Sequence, residues 1–185
     1  MHHPHFSAAE PLTGIVRLLR HSELHEFKAH LLRLDSESRR DRFNGPGNDA
    51  FVAAYADRCF HDGTIVIGYV ESGRVFGAAE LHERPEESEP TGEIAFSVER
   101  HLQHRGLGGH LFERLIESAR AFGYERLRVT THPQNETMKR LARRFNASLK
   151  FEHGETVGVI ALEPAPPLPA RPGAGAPRAA VQSVP

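Results

Sequence analysis

The stretch Gln103-His104-Arg105-Gly106-Leu107-Gly108-Gly109-His110-Leu111 decides the reading of this chain. It sits between a β-rich run, Gly92 to Val98, and apolar residues at helical spacing, Leu107, Leu111, Leu115, Ile116, Ala119 and Phe122, with Gly123 closing the helix. Three glycines at a strand-to-helix turn leave the first-turn N–H groups and the positive end of the helix dipole open to a phosphate. Two phosphate-binding motifs fail at once. A Walker A loop requires Lys-Ser/Thr after its second glycine, which is absent, and a dinucleotide fingerprint requires glycine where Leu111 stands.

Working outward, Gly14 to Leu19 reads as a strand, Ser22 as a helix cap, and Leu24, Phe27, Leu31 and Leu34 as the apolar stripe of a first helix. A second helix is predicted from Asp49 to Phe60. Thr64 to Val70 and Arg74 to His82 form a hairpin about Glu71-Ser72-Gly73. After the glycine-rich turn and its helix come a strand from Arg126 to Thr131, a helix from Asn135 to Phe145, and strands at Leu149 to Glu152 and Thr156 to Leu162. The predicted order is β-α-α-β-β-β-α-β-α-β-β. It specifies an α/β domain whose mixed, mostly antiparallel sheet carries helices on both faces.

Gln103, Gly106 and Gly108 match Q/R-x-x-G-x-G/A, and Val98 lies five residues before Gln103. This resembles the pyrophosphate loop of the GNAT superfamily of N-acetyltransferases. The likeness continues through Gly109 to Ile116, includes Asn135-Glu136-Thr137-Met138 with Leu141, and spans roughly Gly14 to Leu162. The resemblance implies the GNAT fold and acetyl-CoA as cosubstrate, held between the fourth and fifth strands. Phe96, Ser97 and Val98 would lie along the pantetheine arm. Gln103, His104, Arg105, Gly106, Leu107, Gly108 and Gly109 would cradle the pyrophosphate, and Asn135 would touch the cofactor or simply cap its helix.

Acetyl transfer to an amine needs a proton removed, because a lysine amine with a pKa near 10.4 is neutral in only about one molecule in 2,500 at pH 7. The resemblance implies a strand carboxylate, often acting through water, and direct attack on the thioester. Glu93 is the first candidate, since Glu93-Ile94-Ala95-Phe96-Ser97-Val98 looks like the matching strand of bacterial protein-lysine acetyltransferases; Glu80 is the second. His82, two residues on, shares the face of Glu80. Many family members place a tyrosine seven residues beyond the asparagine as general acid, where this chain has Ala142. That departure keeps open a non-catalytic acyl-CoA-binding module. Arg39, Arg40 and Arg42 read as a solvated basic face, or alternatively as an acceptor-recognition patch.

Composition bounds the rest. With 23 Lys+Arg against 24 Asp+Glu the chain lacks the charge that nucleic-acid binding requires. One cysteine, Cys59, excludes a disulfide scaffold and points to the cytoplasm. No apolar run reaches the ~20 residues of a membrane span, and no signal-peptide pattern is expected in MHHPHFSAAE. Thirteen histidines, among them His2, His3, His5, His101 and His104, lack a convergent metal-ligand spacing, so no metal is expected. Residues 1–12 read as a flexible N-terminus and 13–163 as the domain. Residues 164–185, with 7 of the 13 prolines, read as a disordered tail. The expected partners are acetyl-CoA and a protein lysine or small-molecule amine, and the expected state is a monomer or homodimer.

Overall fold

A computed structural model of the chain describes residues 11–61 and 64–163. Both the extreme N-terminus and the Pro/Ala-rich tail lie outside the described residues, though Leu12 already packs against the core. The elements are β1 Ile15–Leu18, α1 Leu24–Arg33, α2 Ser36–Phe43, α3 Asp49–Arg58, β2 Thr64–Glu71, β3 Arg74–Glu83, β4 Thr91–Val98, α4 Leu107–Ala121, β5 Arg126–Thr131, α5 Glu136–Arg144, β6 Ser148–Glu152 and β7 Glu155–Ala161, with 3₁₀ turns at His21–Glu23 and Arg100–Leu102.

The strands make one seven-stranded sheet in the order β1-β2-β3-β4-β5-β7-β6. Every pairing is antiparallel except β4 with β5, which is parallel because α4 carries the chain back to the same end of the sheet. This is the predicted mixed sheet. Its twofold alternation sends Ile65, Ile67, Ala79, Leu81, Ile94 and Val129 to one face, beneath Leu107, Leu111, Phe112, Leu115 and Ala119 of α4 and Ala142 of α5. The opposite face presents Val66, Val70 and Ala78 to Phe27 and Leu31 of α1 and to Val52 and Ala56 of α3.

The helical region between β1 and β2 departs from the predicted pattern. The sequence predicts two helices there; three form. At Leu34 ψ is 132°, which breaks α1, and Asp35 caps a new helix by accepting from the N–H groups of Glu37 and Ser38. No apolar residue of α2 is buried, so it carries no apolar stripe to announce it. Ser22, expected as a cap, instead lies inside the 3₁₀ turn, and no side chain caps α1.

Leu111 is fully buried where α4 meets the sheet. Leu111→Ala should therefore cost about 2–5 kcal/mol of unfolding free energy, which urea denaturation would measure.

Candidate functional site

Parallel pairing of β4 with β5 runs only from Thr91↔Arg126 to Ile94↔Val129, after which the strands part. Both continue, β4 against β3 as far as Val98 and β5 against β7 as far as Thr131. The edge of β4 from Ala95 to Val98 is therefore left facing a cleft, walled across the gap by Thr130 and Thr131 and floored by Met138 and Leu141 of α5. The start of α4 forms the end of that cleft.

Asp35, Asn48 and Asn135 cap α2, α3 and α5 with their side chains; α4 has no side-chain cap. Its N-cap is Gly106 at φ +82°, a left-handed conformation that strains any side-chain-bearing residue. The N–H groups of Leu107 and Gly108 precede the first paired donor of the helix, Gly109 N–H, which donates to the Gly106 carbonyl at 3.0 Å, and both residues line the cleft. A Cβ built on Gly108 would meet only Leu141, at 3.4 Å, so protein packing does not demand a glycine there. The empty space is on the cleft side, which fits an anionic group set close against the backbone.

The other expected site residues divide. Phe96 stacks on Phe112 at 4.8 Å, and Phe112 on Phe145 at 4.2 Å, making an aromatic column beneath the cleft. Ser97 and Val98 line it, as do His104 and Asn135. Gln103 is committed within the protein: its Nε2 donates to Ser38 Oγ and to the Val98 carbonyl, both at 2.9 Å, pinning the loop to α2 and β4. Asn135 caps α5, Oδ1 accepting from Met138 N at 2.9 Å. Arg105, half-buried, stands in the loop before α4, and Gly109 follows in its first turn. Ala142 is buried in the core below α5, so that helix offers the cleft no tyrosine hydroxyl.

The two candidate bases have different surroundings. Directly opposed pairs across β3 and β4 are His82↔Glu93 and Glu80↔Ala95, so all four side chains share the sheet face under α1 to α3. Glu93 is a third exposed and ion-paired with Arg84, which also pairs with Glu86 at 2.6 Å. Glu80 has no exposure at all. Its Oε1 accepts from Arg42 Nη2 at 2.7 Å and Nε at 3.2 Å; its Oε2 accepts from Tyr55 Oη at 2.6 Å and Cys59 Sγ at 3.5 Å, with His82 Nε2 at 3.3 Å.

Burial alone would raise the Glu80 carboxyl, but the Arg42 charge and the His82 contact hold it down to about 2. Burial and the Glu80 charge push both the Tyr55 hydroxyl and the Cys59 thiol well up. A carboxylate saturated by donors and sealed from water is a poor base, so Glu80 is an anchor for α2 and α3 on β3.

Arg42 is correspondingly no part of a solvated face: its side chain is 6% exposed. Arg39 is turned to local contacts, with Asp49 at 2.6 Å and the Leu32 carbonyl at 2.7 Å, and only Arg40 faces solvent. Sequence reasoning missed Tyr55, whose only trace was its place four residues from both Phe51 and Cys59 on one helix face. Cys59, Glu80 and His82 bring potential metal-ligand atoms within 4.8 Å of one another, a convergence no sequence spacing indicated. Arg42 already supplies the positive charge that this group would otherwise draw from an ion.

Glu80→Gln leaves the Arg42 guanidinium buried without its counter-charge and should cost about 3–5 kcal/mol. The folded carboxyl lies below its ordinary value of 4.5, so its contribution is whole above that pH and disappears as pH falls toward 2. Denaturation curves between pH 6 and 3 should accordingly fall more steeply for the parent than for the variant.

Comparison with known proteins gives the same picture. The model of the Acetyltransferase (GNAT) family matches residues 29–147. The GNAT domain of the S. lividans protein PAT is 22% identical, with a TM-score of 0.71 over 80% of this chain and 89% of that one. An N-acetyltransferase from Staphylococcus aureus Mu50 aligns at 19% identity and TM-score 0.63, over 82% of this chain and 99% of its own. A GNAT superfamily phosphinothricin acetyltransferase from Sinorhizobium meliloti, in complex with acetyl-CoA, aligns at 17% and 0.62, over 81% and 89%. Among the described residues no helix is long and apolar enough to cross a membrane. With the splayed β4 and β5, the uncapped glycine turn and a family match over most of the described residues, this chain belongs to the GNAT family of acetyltransferases.

Proposed function

We propose that the protein binds acetyl-CoA in the cleft between β4 and β5 and transfers its acetyl group to an amine of a protein or small molecule. The observation that carries this reading is that α4, uncapped and opening on Gly106 and Gly108, points its first turn into the same cleft as the free edge of β4. A pyrophosphate on the free N–H groups of Leu107 and Gly108, beside Gly106, would leave the pantetheine arm to run along Phe96, Ser97 and Val98, as an added strand partner. His104 and Arg105 would flank the phosphates, Gln103 would hold the loop in shape, and the Asn135 amide would reach the arm while its oxygen keeps the cap.

Glu93 is the proposed general base. At ~3.3 Å of rise per residue it stands roughly 10 Å before Phe96, a gap that the amine and one water fill. It must exchange its Arg84 partner to receive the proton, which its partly exposed position allows. The amine then attacks the thioester directly. No tyrosine is needed to protonate the departing sulfur, because a thiol with a pKa near 8.5 leaves tolerably well as the thiolate.

Gly108→Asp places a side chain and a negative charge in the anion cradle and should abolish binding of CoA in calorimetry while the fold, read by circular dichroism, is retained. Unchanged affinity in a folded variant would remove the loop from the cofactor site. Glu93→Gln keeps shape and hydrogen bonding but not basicity, so turnover at pH 7 should fall about 10²–10⁴-fold with acetyl-CoA affinity intact. The deficit should narrow at high pH, where the amine deprotonates unaided. Full turnover by the variant at pH 7 would exclude Glu93.

A further inference from the structure

A surface groove lies at the end of β4 away from the cleft. It crosses the ends of five strands: Leu18 closes β1, Thr64 opens β2, Glu83 closes β3, Thr91 opens β4, and Phe122 to Tyr124 lead from α4 into β5. Its apolar walls are Leu18, Phe60, Pro85, Pro90, Phe122 and Tyr124. Phe122 is 65% exposed and Leu18 47%, so two large apolar side chains stand in water that no described residue covers.

The groove is also acidic. Glu83, Glu87 and Glu89 line it against one cation, Arg84. Arg84 already pairs with Glu86 at 2.6 Å and with Glu93, and Glu89 is met by Arg126 from outside the groove. Glu83 has no ion pair among the described residues. Burial and then the Glu83 charge push the Tyr124 hydroxyl up, which sets that spare carboxylate beside the aromatic wall. Such a groove suits a proline-rich segment that carries an arginine. Prolyl rings pack on aromatic and prolyl walls, their fixed φ leaves little backbone entropy to lose, and the guanidinium meets the carboxylate.

We infer that this groove is a docking site for the chain's own segment Pro164-Ala165-Pro166-Pro167-Leu168-Pro169-Ala170-Arg171-Pro172. Leu162 N–H donates to the Glu125 carbonyl at 2.8 Å, so the chain leaves β7 one residue along from Tyr124 in the groove wall. From β5 to β1 the groove crosses four strand spacings, about 19 Å at ~4.8 Å each. Nine extended residues at ~3.1 Å each reach about 28 Å, enough for any part of it. Five of the nine are proline and the only charge is Arg171; residues 164–185 hold no acid for Glu83 to repel. Attachment at Glu163 also keeps the segment at high local concentration, so a contact too weak to capture a separate peptide still forms. The inference is independent of the acetyl-transfer reading, since the cleft opens at the other end of β4.

The test uses the full chain, which contains no tryptophan, with Leu168→Trp as its sole fluorescent reporter. Emission should be blue-shifted from that of the same chain in urea, and quenching by acrylamide should be several-fold weaker than for free tryptophan amide. Neither should change on dilution. Phe122→Ser, at a side chain mostly in water, should return both signals to their solvated values while circular dichroism is unaltered, and Arg171→Glu should do the same. Phe151→Ser, on the remote edge strand β6 and 70% exposed, should leave them as they were. A fully quenchable tryptophan in the parent would overturn the inference. So would protection that survives Phe122→Ser or Arg171→Glu, which would place the segment elsewhere, or protection lost on dilution, which would make the occupant a second copy's segment.

Discussion

The short pairing of β4 with β5 is the constraint on which the rest of this molecule depends. A parallel pair continued to Val98 would close the sheet and satisfy the β4 edge with Thr130 and Thr131. Instead the ladder stops at Ile94 and both strands turn to their other neighbours. The gap leaves main-chain hydrogen-bonding groups of β4 free to pair with water or with a ligand that enters the cleft. The aromatic column of Phe96, Phe112 and Phe145 joins β4 to α4 and to the end of α5 on one side of the sheet. The uncapped start of α4 is the second unsatisfied feature, and the fold points both into one space.

On the other face, buried polar groups fix the helices in place. Arg42 and Tyr55 bring α2 and α3 onto Glu80 of β3. His30 and Arg33 bring α1 onto Glu99, just past β4. Such clusters add less net stability than apolar packing of equal volume, since the desolvation of each charge offsets much of the attraction. Their contribution is geometric: each donor and acceptor has one place to go, so the helices that frame the cleft hold a single position against the sheet. The saturation that suits Glu80 for this role unfits it for proton transfer, whereas Glu93, two registers along on the same face, keeps access to solvent.

Much of this was legible in the residues. Strand alternation and the α4 stripe placed the elements to within a residue or two, because each buries one face and the burial is written as a period. The glycine turn was legible because Gly106 adopts a conformation few other residues tolerate. α2 was not, since it is held by its Asp35 cap and by contacts of Arg42 with Glu80 and of Ser38 with Gln103, both distant in the chain, without an apolar period. Arg39, Arg40 and Arg42 look alike in sequence, and one is buried, one turned to local carbonyls and carboxylates, and one solvated.

By itself the sequence determined the order of strands and helices apart from α2, the family, the glycine turn and the strand that carries Glu93, because each is recorded in neighbouring residues. Tertiary structure alone decided the fates of Glu80 and Glu93, which differ not in kind but in burial: α2 and α3 cover Glu80, and Glu93 stays partly exposed beside Arg84. It also decided the meeting of His30 with Ser97 and Glu99 across more than sixty intervening positions. A side chain's chemistry depends on solvent access and on the charges within a few ångströms, and for residues far apart in the chain those are set only when the helices close over the sheet.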